Sequence, residues 1–452
     1  MKSFILMLIL FFTVNSVSSQ NQPYISTEKA IADIEYMIHT IEEVHYNPYF
    51  SIKNAQFKKN KETLLSEFEP DSILLKKFVA TGMKLAAQLS GGHTAMDWKN
   101  PSIIPEIKAS QYIPFTGQLT DNNQQFIVIR SASSEILKGA VIESINGVSM
   151  VEIYKECMSY IGGIESFKNS TCERLLPIYL FYTEKISTPF SIKISGVDGT
   201  FNTPGIDFEG LQEFLNGKQR KENYTFQIIK KDVGLISYNS CQDYSGFKKF
   251  LKQTFKEIED KNITKLIIDI RENGGGDSGL NDLLLAYITE TSYRQSSGRF
   301  WKVSEEAKAA YQANPLYEKN LGQDFMKEYV ESENQSIIEN VQEELIKPQK
   351  PKNYFNQKTC FLIGPNTFSS ANFLADAVKT YNLSTLIGLA TGEYTNDFGE
   401  LLEFTLPNSG NSIFVSSAYD IGANGNPNLF EPVYPDIQTT EDALLYALDW
   451  IK

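Results

Sequence analysis

The sequence predicts an α/β protein whose C-terminal half is a mixed β-sheet covered by helices, preceded by a helical domain and a small β domain. Three patterns lead to this prediction. Apolar residues recur at helical spacing in residues 21–100, short β-like runs dominate 101–221, and apolar strands alternate with amphipathic helices over 222–452. The length of 452 residues fits several domains, each able to bury its own core.

Residues 1–20 have the layout of a secretory signal peptide. One lysine precedes an apolar stretch that runs from Phe4 to Val14, and small residues stand just before Gln20. The stretch is shorter than the ~20 residues needed to span a bilayer, and no second long apolar run follows it. We therefore expect a secreted or periplasmic protein without a stable membrane anchor.

The region 21–100 is predicted to be a helical N-terminal domain. Ile31, Ile34 and Ile38 recur at intervals of three and four residues, which marks one face of an amphipathic helix. A second helix is predicted over about 71–89, where two successive glycines end it.

The region 101–221 is predicted to be a small β domain. It contains β-like runs such as QFIVIRS, followed by KGAVIESINGVSM. The dipeptide Asn146-Gly147 between apolar runs is a hairpin signal. This segment resembles the part of a PDZ domain where two strands meet at such a turn, and the resemblance implies a PDZ-like module.

The region 222–452 shows the alternation expected of a sheet covered by helices. Strands are predicted in YTFQIIKK, VGLISYNS, KLIIDIR and TCFLIG, with helices near 245–260 and 278–290 among them. Residues 300–350, rich in Glu, Lys, Gln and Asn, are predicted to form a helical insertion over that sheet.

The charge and the cysteines argue against some classes of partner and site. A formal net charge of −13 without a long Lys/Arg run makes nucleic acid an unsuitable partner. The four cysteines match no zinc spacing, so no metal site is expected. An oxidising compartment permits disulfides, and a local bridge between Cys157 and Cys172 is the plausible one, whereas Cys360 is expected to be a core thiol.

The first segment with chemical meaning is a glycine loop between a strand and a helix, LIIDIRENGGGDSG at residues 266–279. Successive glycines let the backbone turn sharply and expose N–H groups, which an oxyanion site requires. A phosphate loop would end in Gly-Lys-Ser/Thr, and this segment does not. The remaining alternative is a plain strand-to-helix turn.

The second such segment is TCFLIGPNTFSSANFLADAVK at residues 359–379, again a strand, a turn and a helix. A serine at a helix start is favoured as a nucleophile, because the terminal N–H groups and the helix dipole stabilise developing negative charge. The alternative role is helix capping, for which Thr367, Ser369 and Ser370 are all suitable.

Together, these two segments, the following LIGLATGE and the later YPDI resemble the tail-specific (C-terminal-processing) protease family and its tricorn-core relatives. The resemblance implies a crotonase/Clp-like catalytic fold and serine endopeptidase action on polypeptides through an acyl-enzyme, without a metal or other cofactor. By position in the motif it implies Ser370 as the nucleophile, with an oxyanion hole from the N–H groups of Gly275 or Gly276 and of Ala371.

The base and the acid of the predicted triad are less directly marked. Many members of the family use a lysine beyond the serine, but here no Lys or Arg follows Lys379 until the C-terminal residue. His93, in QLSGGHTAMDW, resembles the tricorn-core segment that supplies a general base, and histidine titrates in the range that a serine hydroxyl needs. The resemblance assigns the orienting acid to Glu431, upstream of Pro-Asp-Ile, with Glu393 and Glu400 as alternatives.

A second hypothesis is a non-catalytic protein that uses the same scaffold to bind apolar ligands or peptides, as retinoid-binding relatives of the family do. A scaffold that only binds need not keep a serine at the helix start, a glycine loop and a histidine in one chain. Their joint presence favours the peptidase.

Overall fold

The computed structural model describes residues 23–89, 91–120, 122, 124–217 and 222–452, so the predicted signal peptide lies outside the described residues. Within these ranges the chain is a mixed α/β protein with several sheets. None of the described helices is both long enough and apolar enough to cross a bilayer. The helices are α1 (Thr27–Val44), α2 (Asn54–Leu65), α3 (Leu75–Ala86), α4 (Ile104–Ala109), α5 (Met150–Met158), α6 (Glu165–Phe181), α7 (Phe208–Asn216), α8 (Tyr244–Asp260), α9 (Gly279–Ile288), α10 (Glu305–Ala313), α11 (Pro315–Leu321), α12 (Gln323–Glu331), α13 (Ser370–Thr380) and α14 (Ala443–Trp450).

The strands belong to four sheets, and the main one has the order β10-β11-β12-β15-β16-β19. The strands are β1 (Tyr24–Ser26), β2 (Ser72–Leu74), β3 (Ala95–Met96), β4 (Phe115–Leu119), β5 (Phe126–Ser131), β6 (Val141–Ile145), β7 (Val148–Ser149), β8 (Phe190–Ile194), β9 (Phe201–Thr203), β10 (Tyr224–Lys230), β11 (Val233–Tyr238), β12 (Lys265–Asp269), β13 (Ser296–Lys302), β14 (Ile337–Val341), β15 (Lys358–Ile363), β16 (Thr385–Gly388), β17 (Asp397–Thr405), β18 (Ser412–Gly422) and β19 (Ile437–Gln438).

The main sheet is mixed and is covered on both faces. β10 runs antiparallel to β11, whereas β11, β12, β15, β16 and β19 pair in parallel. The central strands are continuous apolar runs, as expected for strands buried on both faces. Residues of α8, α9 and α13 pack in the core on one face, and α14 packs on the other. The carboxyl ends of β12 and β15 therefore lie at the same edge, where the two motif loops follow.

A second sheet brings the N-terminal region to the C-terminal one. Its order is β14-β13-β18-β17, all antiparallel, and β3 adds to β18 through the pairs Met96 with Ile413 and Ala95 with Phe414. One hydrophobic core runs through residues 25–211, 301–338 and 402–418. This core includes residues on both sides of the predicted boundary near residue 100, so the boundary does not separate two cores. The pairing of β3 with β18 also joins the chain near His93 to the C-terminal sheet.

The middle region contains an antiparallel sheet of order β4-β5-β6-β8-β9, with β7 paired to β6. The predicted hairpin turn is present, with φ of 51° at Asn146 and 80° at Gly147. Cys157 on α5 and Cys172 on α6 are both fully buried free thiols, so the disulfide expected between them is not formed. They fill the core as small apolar side chains.

The N-terminal helices follow the predicted pattern, apart from one boundary. Ser26 caps α1 by accepting a hydrogen bond from the Lys29 N–H. On the predicted isoleucine face, Ile34 and Ile38 are buried and Ile31 is half-buried. The second helix was expected from about residue 71, but residues 72–74 form β2, which pairs with β1. The helix α3 begins only after this pairing ends.

Asp33 attaches α1 to the turn between β17 and β18. Its carboxylate is fully buried, and Oδ1 accepts from the backbone N–H and the side-chain amide of Asn408 at 3.0 and 2.9 Å. Oδ2 accepts from the Ser409 N–H at 2.7 Å. Three donors to one buried carboxylate make this a strong junction.

We predict that Asp33→Ala lowers the free energy of unfolding by about 2–4 kcal/mol, because it removes a charged acceptor and leaves buried donors without a partner. The measurement is chemical denaturation. Glu35→Ala is the matched control, because Glu35 lies on the same helix and its ion pair with Lys61 is exposed. Equal losses for the two variants would contradict the role given to Asp33.

Candidate active site

The glycine loop after β12 packs directly against the start of α13. Gly275 and Gly276 have φ of +95° and +135°, which residues with a side chain rarely adopt. A Cβ on Gly275 would lie 2.6 Å from the Ser369 Cβ and 2.9 Å from the Ser370 N. The buried Asn273 side chain fixes the turn by accepting from the Gly275 N–H at 2.9 Å. Glycine at 275 is therefore required for the two motifs to meet.

The two serines at the start of α13 have different environments. Ser370 is buried, and its hydroxyl donates to the Gly276 carbonyl at 2.5 Å. Its own carbonyl accepts from the Asn281 amide at 2.7 Å. Ser369 is half-buried and has φ 53° and ψ −127°, a strained conformation for a residue with a side chain. Its side chain makes no capping hydrogen bond to the described part of α13, so the capping alternative does not hold for Ser369.

His93 packs on Phe368, the residue before the two serines, and contacts Glu393. The His93 Nδ1 is 3.0 Å from Glu393 Oε1. The contact is an ion pair when the ring is protonated, and its angle lies outside that of a full hydrogen bond. Glu393 Oε2 accepts from the Ser369 N–H at 2.5 Å, and the His93 ring packs on the Phe368 ring with centroids 4.6 Å apart. One carboxylate thus contacts both the imidazole and the backbone of Ser369.

The charge around His93 favours the protonated ring. Burial alone would lower the pKa of His93, but the carboxylates of Glu393, Asp397 and Asp420 outweigh burial and raise it above its usual value. Burial and the Glu393 charge in turn raise the pKa of Asp397. An excess of carboxylates around one buried histidine is typical of a site that transfers protons.

The acid that contacts His93 is Glu393, so the assignment of Glu431 is corrected. Glu431 is exposed, and its backbone carbonyl accepts from the Thr395 N–H at 2.8 Å. Glu400, the other alternative, has its carboxylate 3.2 Å from Arg299. Glu393 lies between β16 and β17, a segment that turns back over the start of α13. Its position in TGE, where related chains carry the lysine, is the sequence signal that favours it.

Two of the three predicted oxyanion donors are already engaged. The Gly275 N–H donates to Asn273, and the Ala371 N–H donates to the Phe368 carbonyl at 3.1 Å because the chain makes a tight turn there. The N–H of Gly276, an exposed residue, has no hydrogen-bond acceptor among the described residues, and the same holds for the Ser370 N–H at the start of α13. Gly276 therefore stays a prediction, and the N–H groups of Gly275 and Ala371 are engaged in this conformation.

His45 is a structural residue. It is fully buried and packs on Phe398, with ring centroids 4.6 Å apart. Burial, with a contribution from Lys302, lowers the pKa of His45 to about 3, and its Nδ1 accepts from the Asn47 N–H at 3.0 Å. The ring is therefore neutral and fixed away from proton transfer.

Comparisons with known proteins concern the family and the fold of the chain. Residues 232–439 match the model of peptidase family S41. The solved structure of mature CPAF has a TM-score of 0.58 and 15% identity, with 91% of this chain and 92% of that chain covered. A CPAF serine-to-alanine variant has a TM-score of 0.63 and 15% identity, with 94% of this chain and 95% of that chain covered. Mature CPAF in complex with lactacystin has a TM-score of 0.56 and 14% identity, with 91% of this chain and 94% of that chain covered. These likenesses show a shared fold. Comparison with curated proteins gave no match.

We predict that Glu393→Gln lowers the pKa of His93, because the largest charge that favours the protonated ring is removed while burial is unchanged. The measurement is an NMR titration of the histidine ring nitrogens, with Glu431→Gln as the matched control. A His93 pKa that moves with Glu431→Gln and not with Glu393→Gln would contradict the assignment.

Proposed function

From the serine-type peptidase domain of family S41 that the chain carries over residues 232–439, we propose that the protein is a secreted endopeptidase that cleaves polypeptides through an acyl-enzyme. The observation that carries the proposal is the Glu393 carboxylate, which contacts His93 on one side and the Ser369 backbone on the other. A non-catalytic binding protein has no need of this arrangement.

We assign the nucleophile to Ser369 rather than to the adjacent Ser370. The support is that Ser369 is half-buried, adopts a strained backbone conformation and does not cap its helix. Strain at one residue costs on the order of 1–3 kcal/mol and is found mostly at functional sites. The Ser370 hydroxyl is buried and already donates to a backbone carbonyl. This assignment differs by one residue from the sequence prediction, which placed the nucleophile at Ser370.

The proposed reaction uses His93 as general base. A carboxylate at Nδ1 keeps the proton on that nitrogen and leaves Nε2 to accept the Ser369 proton. The Ser369 Oγ then bonds to the peptide carbonyl carbon, and the carbonyl electrons move to oxygen. When the C–N bond breaks, His93 gives the proton to the leaving amine, and water later hydrolyses the ester.

The N–H groups of Gly276 and Ser370 are the proposed oxyanion donors. Both lack a hydrogen-bond acceptor in the described residues, and the second opens a helix whose dipole favours negative charge. Ala371, the predicted donor, directly follows the predicted nucleophile Ser370. With Ser369 as nucleophile, the residue that directly follows it is Ser370, so the proposed donor also shifts by one residue.

We further propose that residues 1–20 direct export and that the β4–β9 sheet is a PDZ-like module. The support for export is the sequence alone. The support for the module is its antiparallel order and the Asn146-Gly147 hairpin.

We predict that Ser369→Ala abolishes peptidase activity, whereas Ser370→Ala keeps a substantial part of it, because only Ser369 supplies the attacking oxygen. Digestion of an unfolded protein substrate measures both variants, and circular dichroism confirms their fold. The reverse order of effects would restore Ser370 as the nucleophile. Full activity in both variants would mean that neither serine is the nucleophile.

We predict that kcat/KM falls as the pH drops through the His93 pKa, because the protonated ring cannot accept the serine proton. Since the pKa of His93 is raised, this fall should lie above the usual imidazole value of ~6.5. Rates across a pH series measure the effect. An activity that stays constant to well below pH ~6 would contradict His93 as the base.

A further inference from the structure

A cavity of about 330 Å³ opens beside the candidate active site. It lies between the first turns of α9 and α13 and the strands β13 and β14, and Ser278 and Phe373 are part of its wall. The Phe373 N–H donates to the Ser369 carbonyl at 3.0 Å, so the cavity begins one helical turn from the proposed nucleophile. Its position suits a side chain near the cleaved bond.

The charged groups of the cavity wall are mostly carboxylates. Arg299 is held by Asp420, with Nε to Oδ1 at 2.6 Å, and by Glu400 at 3.2 Å. Asp282 is a further carboxylate of the wall. The wall holds two carboxylates, Asp282 and Asp420, and Glu400 adds a third beside Arg299 without lining the cavity. The region is therefore negative, which opposes an acidic side chain and favours a basic one.

Asp282 is the carboxylate best suited to bind a cation. Its Oδ1 accepts from the Tyr293 hydroxyl and the Gln295 amide, each at 2.7 Å, so its orientation is fixed. Its Oδ2 has no hydrogen bond or ion pair among the described residues. Burial raises the pKa of Asp282, although the hydrogen bonds from Tyr293 and Gln295 act in the opposite direction.

Part of the wall is apolar. Trp301, Leu321, Phe325 and Phe373 form this apolar surface, which suits the aliphatic stem of a long side chain.

We propose that this cavity binds a lysine or arginine side chain of the polypeptide substrate, next to the cleaved bond, and that Asp282 determines this specificity. The inference rests on the proposed peptidase function and adds the class of substrate. The aliphatic stem packs against the aromatic wall, and the charged end pairs with Asp282 Oδ2.

The test begins with the wild-type protein and a peptide library digested from a proteome. Mass spectrometry of the products should show Lys and Arg enriched at one position beside the cut. A peptide with Lys at that position is then compared with the same peptide carrying norleucine, which keeps the stem and removes the charge. In Asp282→Asn the Lys-to-norleucine ratio of kcat/KM should fall roughly tenfold.

Glu290→Gln is the matched control, because it makes the same charge change at an exposed site beyond the end of α9. The Lys-to-norleucine ratio of kcat/KM in Glu290→Gln should equal that of the wild type. Cleavage without enrichment of basic residues, or equal ratios in Asp282→Asn and Glu290→Gln, would overturn the inference and leave the peptidase function intact. If Asp282→Asn does not fold, the enrichment of Lys and Arg beside the cut in the wild-type digestion still tests the inference. No cleavage of any peptide would refute the peptidase function and this inference together.

Discussion

The contact of one carboxylate, Glu393, with both His93 and the Ser369 N–H is the interaction on which the site depends. It connects a residue from the N-terminal region to the start of a helix in the C-terminal sheet. Glu393 can lie there because Gly392 passes close to the Pro365 carbonyl, where a Cβ would be only 2.0 Å away. The Gly392 N–H also donates to the Thr367 carbonyl at 3.1 Å. Backbone contacts of a glycine therefore fix the position of the acid.

Three regions of the chain meet at this contact. β3 pairs with β18 and so carries the segment of His93 to the C-terminal sheet. From the middle region, Phe167 on α6 stacks on Phe368 at 4.4 Å, and the Ser166 hydroxyl donates to the Thr391 carbonyl at 3.3 Å. The geometry of the site therefore depends on contacts among all three regions. A change in how these regions pack would alter that geometry even with every reacting residue in place.

The sequence predicted the glycine loop and the serine pair from local signals, and His93 from a resemblance to the tricorn-core segment. The choice among Glu431, Glu393 and Glu400 could not be predicted, because it depends on which turn of a folded sheet faces the imidazole. Nor could the choice between Ser369 and Ser370, which rests on one backbone dihedral angle at the start of α13. The predicted start of the second helix was wrong because residues 72–74 form a strand that pairs with β1, which is distant in sequence.

The central claim is that His93 and Glu393 activate the Ser369 hydroxyl. Reaction with a fluorophosphonate, followed by mass-spectrometric mapping of the adduct, tests it most directly, because only an activated serine reacts quickly with such a probe. We expect an adduct on Ser369 that is lost in His93→Ala and retained in His45→Ala. An adduct on Ser370, or one on Ser369 that forms equally well without His93, would contradict it.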